Sequence, residues 1–268
     1  HGLTKSEQRI AEYIMEHADT IMEETIPRLA SHTGSSEITV SRFCKKLGFS
    51  GLQSLKIALA AELSSEGDAR YQEIHPEDSY AMLAEKVFQN ISDGLTDTLK
   101  LLDYQAVEQA VDVLVKAKRI AVYGFGNSAT VCRDIETRFL RFGMVVQAYA
   151  DAHQQVTSAS LLTSEDVVIA ISHTGATIAM LDTVKVAKKN GATIIVITSY
   201  AKSSLAELAD ITLIGMGREV HYRSEAVASR LIHMAITDVL YTGIAMKIPA
   251  RYRNNISRMR AVIAEKRV

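Results

Sequence analysis

Two short runs in the C-terminal half carry the residues best suited to holding an anion: Gly124-Phe-Gly-Asn-Ser128 and Ser172-His-Thr-Gly-Ala-Thr177. In each, glycine lets the backbone turn tightly and approach a ligand, while Ser and Thr hydroxyls supply donors. A helix that starts immediately afterwards adds oriented N–H groups and positive potential. Neither run contains Lys or Arg, so the grip on a phosphate would come from hydrogen bonds and dipoles rather than full charges. Two other readings fit the same residues. Both runs can be tight turns with capping hydroxyls. The first also spells Gly124-x-Gly126-x-x-Ala129, with Asp151 further on as a ribose-binding acid, which approaches a dinucleotide fingerprint.

A second set of chemistry-bearing residues lies near the N-terminus. From Thr25 to Lys56 the bases Arg28, Arg42, Lys45, Lys46 and Lys56 face Glu37 alone, a local excess of four positive charges. The flanks are acidic, with Glu12, Glu16, Asp19, Glu23 and Glu24 before and Glu62, Glu66, Asp68, Glu73, Glu77 and Asp78 after. A basic island of this size is the footprint of a small DNA-reading surface, and a solvated helix face produces one equally well.

The elements that must carry these residues follow from periodicity. Thr4 with Glu7 forms a capping box ahead of Ile10, Tyr13 and Ile14 at helical spacing. Ile26, Leu29 and Ala30 mark a second helix, ended by the polar break Ser31-His-Thr-Gly-Ser-Ser36. A third follows with Val40, Phe43, Cys44 and Leu47 on its inner face and Gly48 at its end. Another helix spans Leu52 to Leu63. Two short helices joined by a Gly-containing turn describe a helix-turn-helix. Its outer face presents Ser36, Glu37, Thr39 and Arg42 to base edges, with Lys45 and Lys46 placed for phosphates. A helical bundle used for dimerisation is the competing reading.

Residues 65–79 lack periodicity and read as a linker. From Tyr80 two amphipathic helices (80–102 and 104–117) lead into short Val- and Ile-rich runs, 119–124, 145–150, 166–172, 193–199 and 211–215, with helices at 130–142, 153–162, 178–190, 204–208 and 225–246. This alternation predicts an α/β doubly wound, mainly parallel five-stranded sheet, residues 80–268, behind an all-α helix-turn-helix domain, residues 1–64. Both glycine runs then fall at the carboxyl ends of strands, where such sheets bind ligands. A basic tail, Arg251 to Val268, closes the chain.

The motifs, in this order and spacing, resemble the RpiR-type (HexR-like) family of bacterial regulators across nearly the whole chain. Thr4-Lys-Ser-Glu7-x-x-Ile10-Ala11 and Thr39-Val40-x-Arg42-Phe43-Cys44-x-x-Leu47-Gly48-Phe49-x-Gly51 resemble its DNA-binding domain. Gly124-x-Gly126-x-Ser128, Asp151-x-His153, Ile171-Ser172-x-Thr174-Gly175 and Ala228-Ser229-Arg230-Leu231 resemble its SIS (sugar isomerase) domain. The resemblance implies a phosphosugar between the two loops. Ser128, Ser172, Thr174 and Thr177 then hold the phosphate, with backbone help from Gly126, His173 and Gly175, and His153 and Glu225 face the sugar. It further implies a homodimer or homotetramer, a palindromic double-stranded DNA operator, and repression relieved by the ligand. An amino-sugar phosphate (N-acetylmannosamine 6-phosphate or N-acetylmuramate 6-phosphate), a hexose phosphate and 2-keto-3-deoxy-6-phosphogluconate all fit such a pocket, and His153 and Glu225 tilt the expectation toward an amino sugar. A phosphosugar isomerase is the enzymatic alternative, with His153, His221 and Glu225 as its available acid–base groups.

The composition, 47% hydrophobic and 23% charged with net charge −1, excludes a disordered or supercharged chain. No apolar run reaches the roughly 18 residues of a membrane helix, and no signal peptide is evident. Cys44 and Cys132 lack partners or metal-ligand spacing, so buried free thiols are expected. A cytoplasmic protein with no metal and no cofactor is the resulting expectation. His1 is not an initiator methionine, which leads us to expect native residues before it.

Overall fold

The computed structural model describes residues 3–17, 21, 24–47, 49, 51–52, 54–56, 59, 72–217 and 227–265. The chain divides into two units, His1–Ala69 and Arg70–Val268.

In the first unit, α1 (Lys5–Glu16) begins at the expected capping box: the Thr4 backbone N–H donates to Glu7 Oε2 (2.7 Å), and the Glu7 N–H donates to Thr4 Oγ1 (3.3 Å). Helix α2 (Ile26–Thr33) runs three residues past the point where its polar residues suggested a break. Thr33 Oγ1 donates to the Leu29 carbonyl at 2.7 Å, so the hydroxyl is satisfied inside the helix and does not compete with it. The chain turns at Gly34, which is left-handed (φ 57°, ψ 37°), and Ser36 caps α3 (Glu37–Lys46). Ile10, Leu29, Val40, Phe43 and Cys44 are at most 2% exposed and form the centre of this unit. Leu47, expected on the inner face, is 46% exposed at the helix C-cap, because the helix ends there and the inward stripe ends with it. Residues 52, 54–56 and 59 are helical, within the span expected for a fourth helix.

Residues 72–79 of the expected linker lie in the second unit. Asn90 brackets the Gln72 backbone with two hydrogen bonds of 2.9 Å, Ile74 is buried, and Asp78 pairs with Lys86 at 2.7 Å. Helices α4 (Tyr80–Leu101) and α5 (Tyr104–Lys116) follow, and then the sheet: β1 (Ile120–Gly124), β2 (Val146–Tyr149), β3 (Val167–Ile171), β4 (Thr193–Thr198) and β5 (Ile211–Ile214). Its order is β2-β1-β3-β4-β5, with every pairing parallel.

Alternation along each strand splits the core in two. Ile120, Val122, Val167, Ile169, Ile171, Ile195 and Ile197 point to one face. There they pack on α5, α6 (Asn127–Phe139) and α10 (Val227–Lys247). Ala121, Tyr123, Val168, Ala170, Ile194 and Val196 point to the other, against α7 (Ala152–Ser160), α8 (Ile178–Lys189) and α9 (Ser204–Leu208). Burial on both faces is why the central strands read as unbroken apolar runs. The basic tail is largely helical, α11 (Pro249–Ala264). Arg251 anchors it by donating to the Gly143 carbonyl at 2.8 Å, and Tyr252 adds a ring contact with Phe142. Among the described residues no single helix is long and apolar enough to cross a membrane.

Candidate functional site

β1 and β3 are adjacent and in register, with Gly124 opposite Ile171. The two glycine runs therefore leave the sheet side by side and enclose a cleft of about 430 Å³. Its walls are Phe125, Gly126, Asn127, Ser128, Ile171, Ser172, His173, Thr174 and Thr177. This is the position at which the chain's crossovers diverge to opposite sides of the sheet, leaving strand ends uncovered.

Local geometry explains why each residue type stands where it does. A Cβ on Gly124 would lie 2.6 Å from Cys132 Sγ, so glycine lets α6 pack tightly against β1. Gly126 adopts φ 52°, ψ −126° with open space where a Cβ would be. It turns the backbone directly into α6, three residues earlier than periodicity predicted, and so places Ser128 in the helix's first turn. In the second loop the Gly175 N–H donates to Ser172 Oγ at 3.1 Å. Gly175 has φ 60°, and a Cβ there would collide with the Ser203 side chain.

Most described helices are capped by a side chain: Thr4, Thr25, Ser36, Ser79, Asp103, Asp151 and Ser203 each accept from the first turn. The two helices that start at the cleft, α6 after Gly126 and α8 after Thr177, have no side-chain cap. Their positive dipole ends therefore lie at the same cleft as the hydroxyls of Ser128, Ser172, Thr174 and Thr177. That combination is chemically suited to a phosphate dianion.

Behind the cleft lies a buried polar chain that the sequence did not reveal. His173 Nδ1 is 2.9 Å from Ser199 Oγ and 2.7 Å from Ser229 Oγ. Ser199 donates to the Gly215 carbonyl at 2.7 Å, Ser229 to the Gly217 carbonyl at 3.1 Å, and His233 Nε2 lies 3.3 Å from Ser199 Oγ. With both hydroxyl protons committed to carbonyls, Nδ1 of His173 is the donor. Burial, reinforced by the nearby His173, pushes His233 down to about 3, so it is neutral. The His173 carbonyl is itself fixed by Thr198 Oγ1 (3.0 Å) and the Ser199 N–H (3.1 Å). The loop's conformation is thus held from β4 and from α10.

Gly126, Ser128, Ser172, His173, Thr174 and Thr177, expected to bind the ligand, come together as walls of one cleft, and Gly175 lies buried beneath it. His153 does not line it: it is exposed in the first turn of α7, which follows β2 rather than β1 or β3. Glu225 and His221 lie outside the described residues. Asp151, the acid a dinucleotide would need, spends its carboxylate capping α7 through the Gln154 N–H (3.0 Å). Phe125, Asn127, Ser199, Ser229 and His233 were missed. The Ala228-Ser229-Arg230-Leu231 motif was the one signal for Ser229.

On α3, Glu37, Arg42 and Lys45 are exposed as expected. Ser36 Oγ is taken up by the cap, accepting from the Thr39 N–H (3.2 Å) and lying 2.8 Å from Thr39 Oγ1. Lys46, expected at a phosphate, instead bonds Glu7 Oε2 at 2.8 Å. That bond holds the Glu7 carboxyl below its ordinary value and ties α3 to α1. Cys44 and Cys132 are buried free thiols.

A helix-turn-helix in the first unit, and in the second a parallel sheet with a hydroxyl-lined cleft, are the parts of a two-domain transcriptional regulator. Residues 1–66 match the helix-turn-helix domain of the rpiR family, and residues 113–242 match the SIS domain. The chain belongs to the rpiR family of helix-turn-helix transcriptional regulators that carry a SIS domain. It is 32% identical over 269 residues to the uncharacterized HTH-type transcriptional regulator YbbH of Bacillus subtilis, covering 100% of this chain and 95% of that one. Its structure is similar to that of the Vibrio vulnificus NanR protein complexed with ManNAc-6P, with TM-score 0.71 and 27% identity over 99% of this chain and 95% of that chain. The second unit is also similar in fold to the sugar isomerase domain of an RpiR transcription factor from Sphaerobacter thermophilus (TM-score 0.62, 22% identity, 67% of this chain and 98% of that one).

Proposed function

We propose that this regulator represses genes for amino-sugar catabolism and that a phosphosugar in the SIS cleft weakens its hold on a palindromic operator. The observation that carries the sensor half is the pair of uncapped helix N-termini facing one hydroxyl-lined cleft. The amino-sugar assignment, N-acetylmannosamine 6-phosphate first, is supported by the likeness to the NanR complex over nearly the whole chain. Ser128, Ser172, Thr174 and Thr177 hold the phosphate in this reading, with the backbone of Gly126 and His173 beside them and the Gly175 N–H orienting Ser172 Oγ from beneath. Operator contacts come from Ser36, Glu37, Thr39, Arg42 and Lys45. Symmetric oligomers fit a palindromic site.

An enzymatic reading has less support from the cleft itself. Among the described walls His173 is the one titratable residue, and two hydroxyls engage its Nδ1.

The test is a thermal-shift screen of phosphosugars against the full chain, followed by operator titrations with and without the best stabiliser. A ligand at 100 times its Kd adds about 2.7 kcal/mol to stability. The proposal requires that same ligand to lower operator affinity, with a coupling of about 1–3 kcal/mol. A stabilising phosphosugar that leaves operator affinity unchanged, or one that the protein turns over, refutes it.

A further inference from the structure

The face that α3 turns away from its core carries Ile38, Ser41, Arg42 and Lys45, at the i, i+3, i+4, i+7 spacing of one helical stripe. Val40, Phe43 and Cys44 occupy the buried side. Ile38 is 67% exposed in the first turn, directly after the Ser36 cap. It does nothing for the core. Among the described residues of this unit the other exposed large apolar side chains are Met15, on α1, and Leu47, at the α3 C-cap. Ile38 is the one that shares the face of Arg42. A β-branched side chain in this place is stiff at χ1 and offers only apolar alkyl surface.

The first turn of a recognition helix is the part that reaches base edges in the major groove. The apolar feature displayed there is the C5-methyl of thymine. Positive charge flanking Ile38 at Arg42 and Lys45 suits the phosphate-lined groove, and the only acid of the stretch, Glu37, sits one residue aside. We propose that Ile38 reads a thymine by packing on its C5-methyl and so sets part of the operator sequence. Ile38 and Arg42 are four residues apart, about 6 Å along the helix. Base pairs stack about 3.4 Å apart, so this thymine lies within about two steps of the base met by Arg42. The inference rests on the operator-binding reading above and adds to it the identity of one base.

The experiment selects a duplex from a random pool with the full chain. Each thymine of that duplex is then replaced in turn by deoxyuridine, which removes only the methyl. Binding of the wild-type chain and of Ile38→Ala is titrated at one salt concentration, with thermal unfolding of both as the folding control. The expected result is one thymine per half-site whose replacement weakens wild-type binding about four-fold, the factor for one buried methyl group. Ile38→Ala shows no such penalty, binds the unmodified duplex more weakly, and unfolds at the wild-type temperature because the side chain is exposed. Selective binding with no Ile38-dependent deoxyuridine penalty overturns this inference alone. Absence of any sequence-selective binding overturns the operator reading with it.

Discussion

Replacing Gly175 by alanine adds one methyl group at a tightly constrained point beneath the cleft, and two separable penalties follow. The φ of 60° is a conformation that costs an L-residue about 1–2 kcal/mol. The new Cβ also collides with Ser203, a residue only 1% exposed and itself the cap of α9. Overpacking of that kind costs about 1–3 kcal/mol. Gly175→Ala should therefore lose about 2–5 kcal/mol, a drop of roughly 5–15 °C in the melting temperature of a unit this size. The loop it distorts carries Ser172, so phosphosugar-induced stabilisation should vanish as well.

The double variant Gly175→Ala with Ser203→Gly separates the two penalties. Glycine is a tolerable N-cap, costing a few tenths of a kcal/mol. The double variant should recover the collision penalty and retain the strain of about 1–2 kcal/mol. Thermal unfolding of the four proteins, each with and without the stabilising phosphosugar, supplies the cycle. If Gly175→Ala melts like wild type and keeps its ligand-induced shift, the steric reasoning about this loop is wrong. If Ser203→Gly rescues nothing, the collision is not the cause.

Ser172→Ala and Ser128→Ala should each abolish most of the phosphosugar thermal shift while leaving the apo melting temperature within a few degrees, read in the same assay. His233 has a folded-state value near 3 against an ordinary 6.5, so the unfolded chain binds more protons between those values. Its contribution to stability is complete above about pH 6.5 and is lost as pH falls toward 3. Urea unfolding across that window should show a shallower pH dependence in His233→Gln than in wild type. Lys45→Ala should reduce the slope of log affinity against log salt by about one phosphate contact. Lys46→Ala should instead leave that slope intact and lower the stability of the first unit by less than about 1 kcal/mol, because its partner is Glu7. Arg42→Ala should cost at least about 1 kcal/mol of operator affinity and relax sequence preference, measured by competition among related duplexes.

Much of this architecture could be read from local signals. The sheet strands announced themselves because residues such as Val167–Ile171 are buried on both faces, which leaves no polar position to interrupt them. The caps at Thr4, Ser36 and Ser203 are satisfied within three residues, so they too are local. Boundaries were less legible. α2 continues through Ser31–Thr33 because a hydroxyl can be satisfied inside its own helix. α6 begins at Asn127 because Gly126 takes a backbone conformation that periodicity does not encode.

The sequence by itself determined that two glycine- and hydroxyl-bearing loops would end parallel strands and that a short basic helix would follow a glycine turn. Those features depend on residue type and on spacing within a turn or a strand. What only the tertiary structure decided is which of these groups are still available once the chain has folded. Lys46 is occupied by Glu7, 39 residues away in the chain. His173 is held by Ser229, 56 residues away. His153 stands on α7, outside the described cleft walls, and Ile38 faces solvent on the same stripe as Arg42. Ion pairs, buried hydroxyl chains and the facing of a side chain arise between segments distant in sequence. No local pattern records them until packing has chosen the partners.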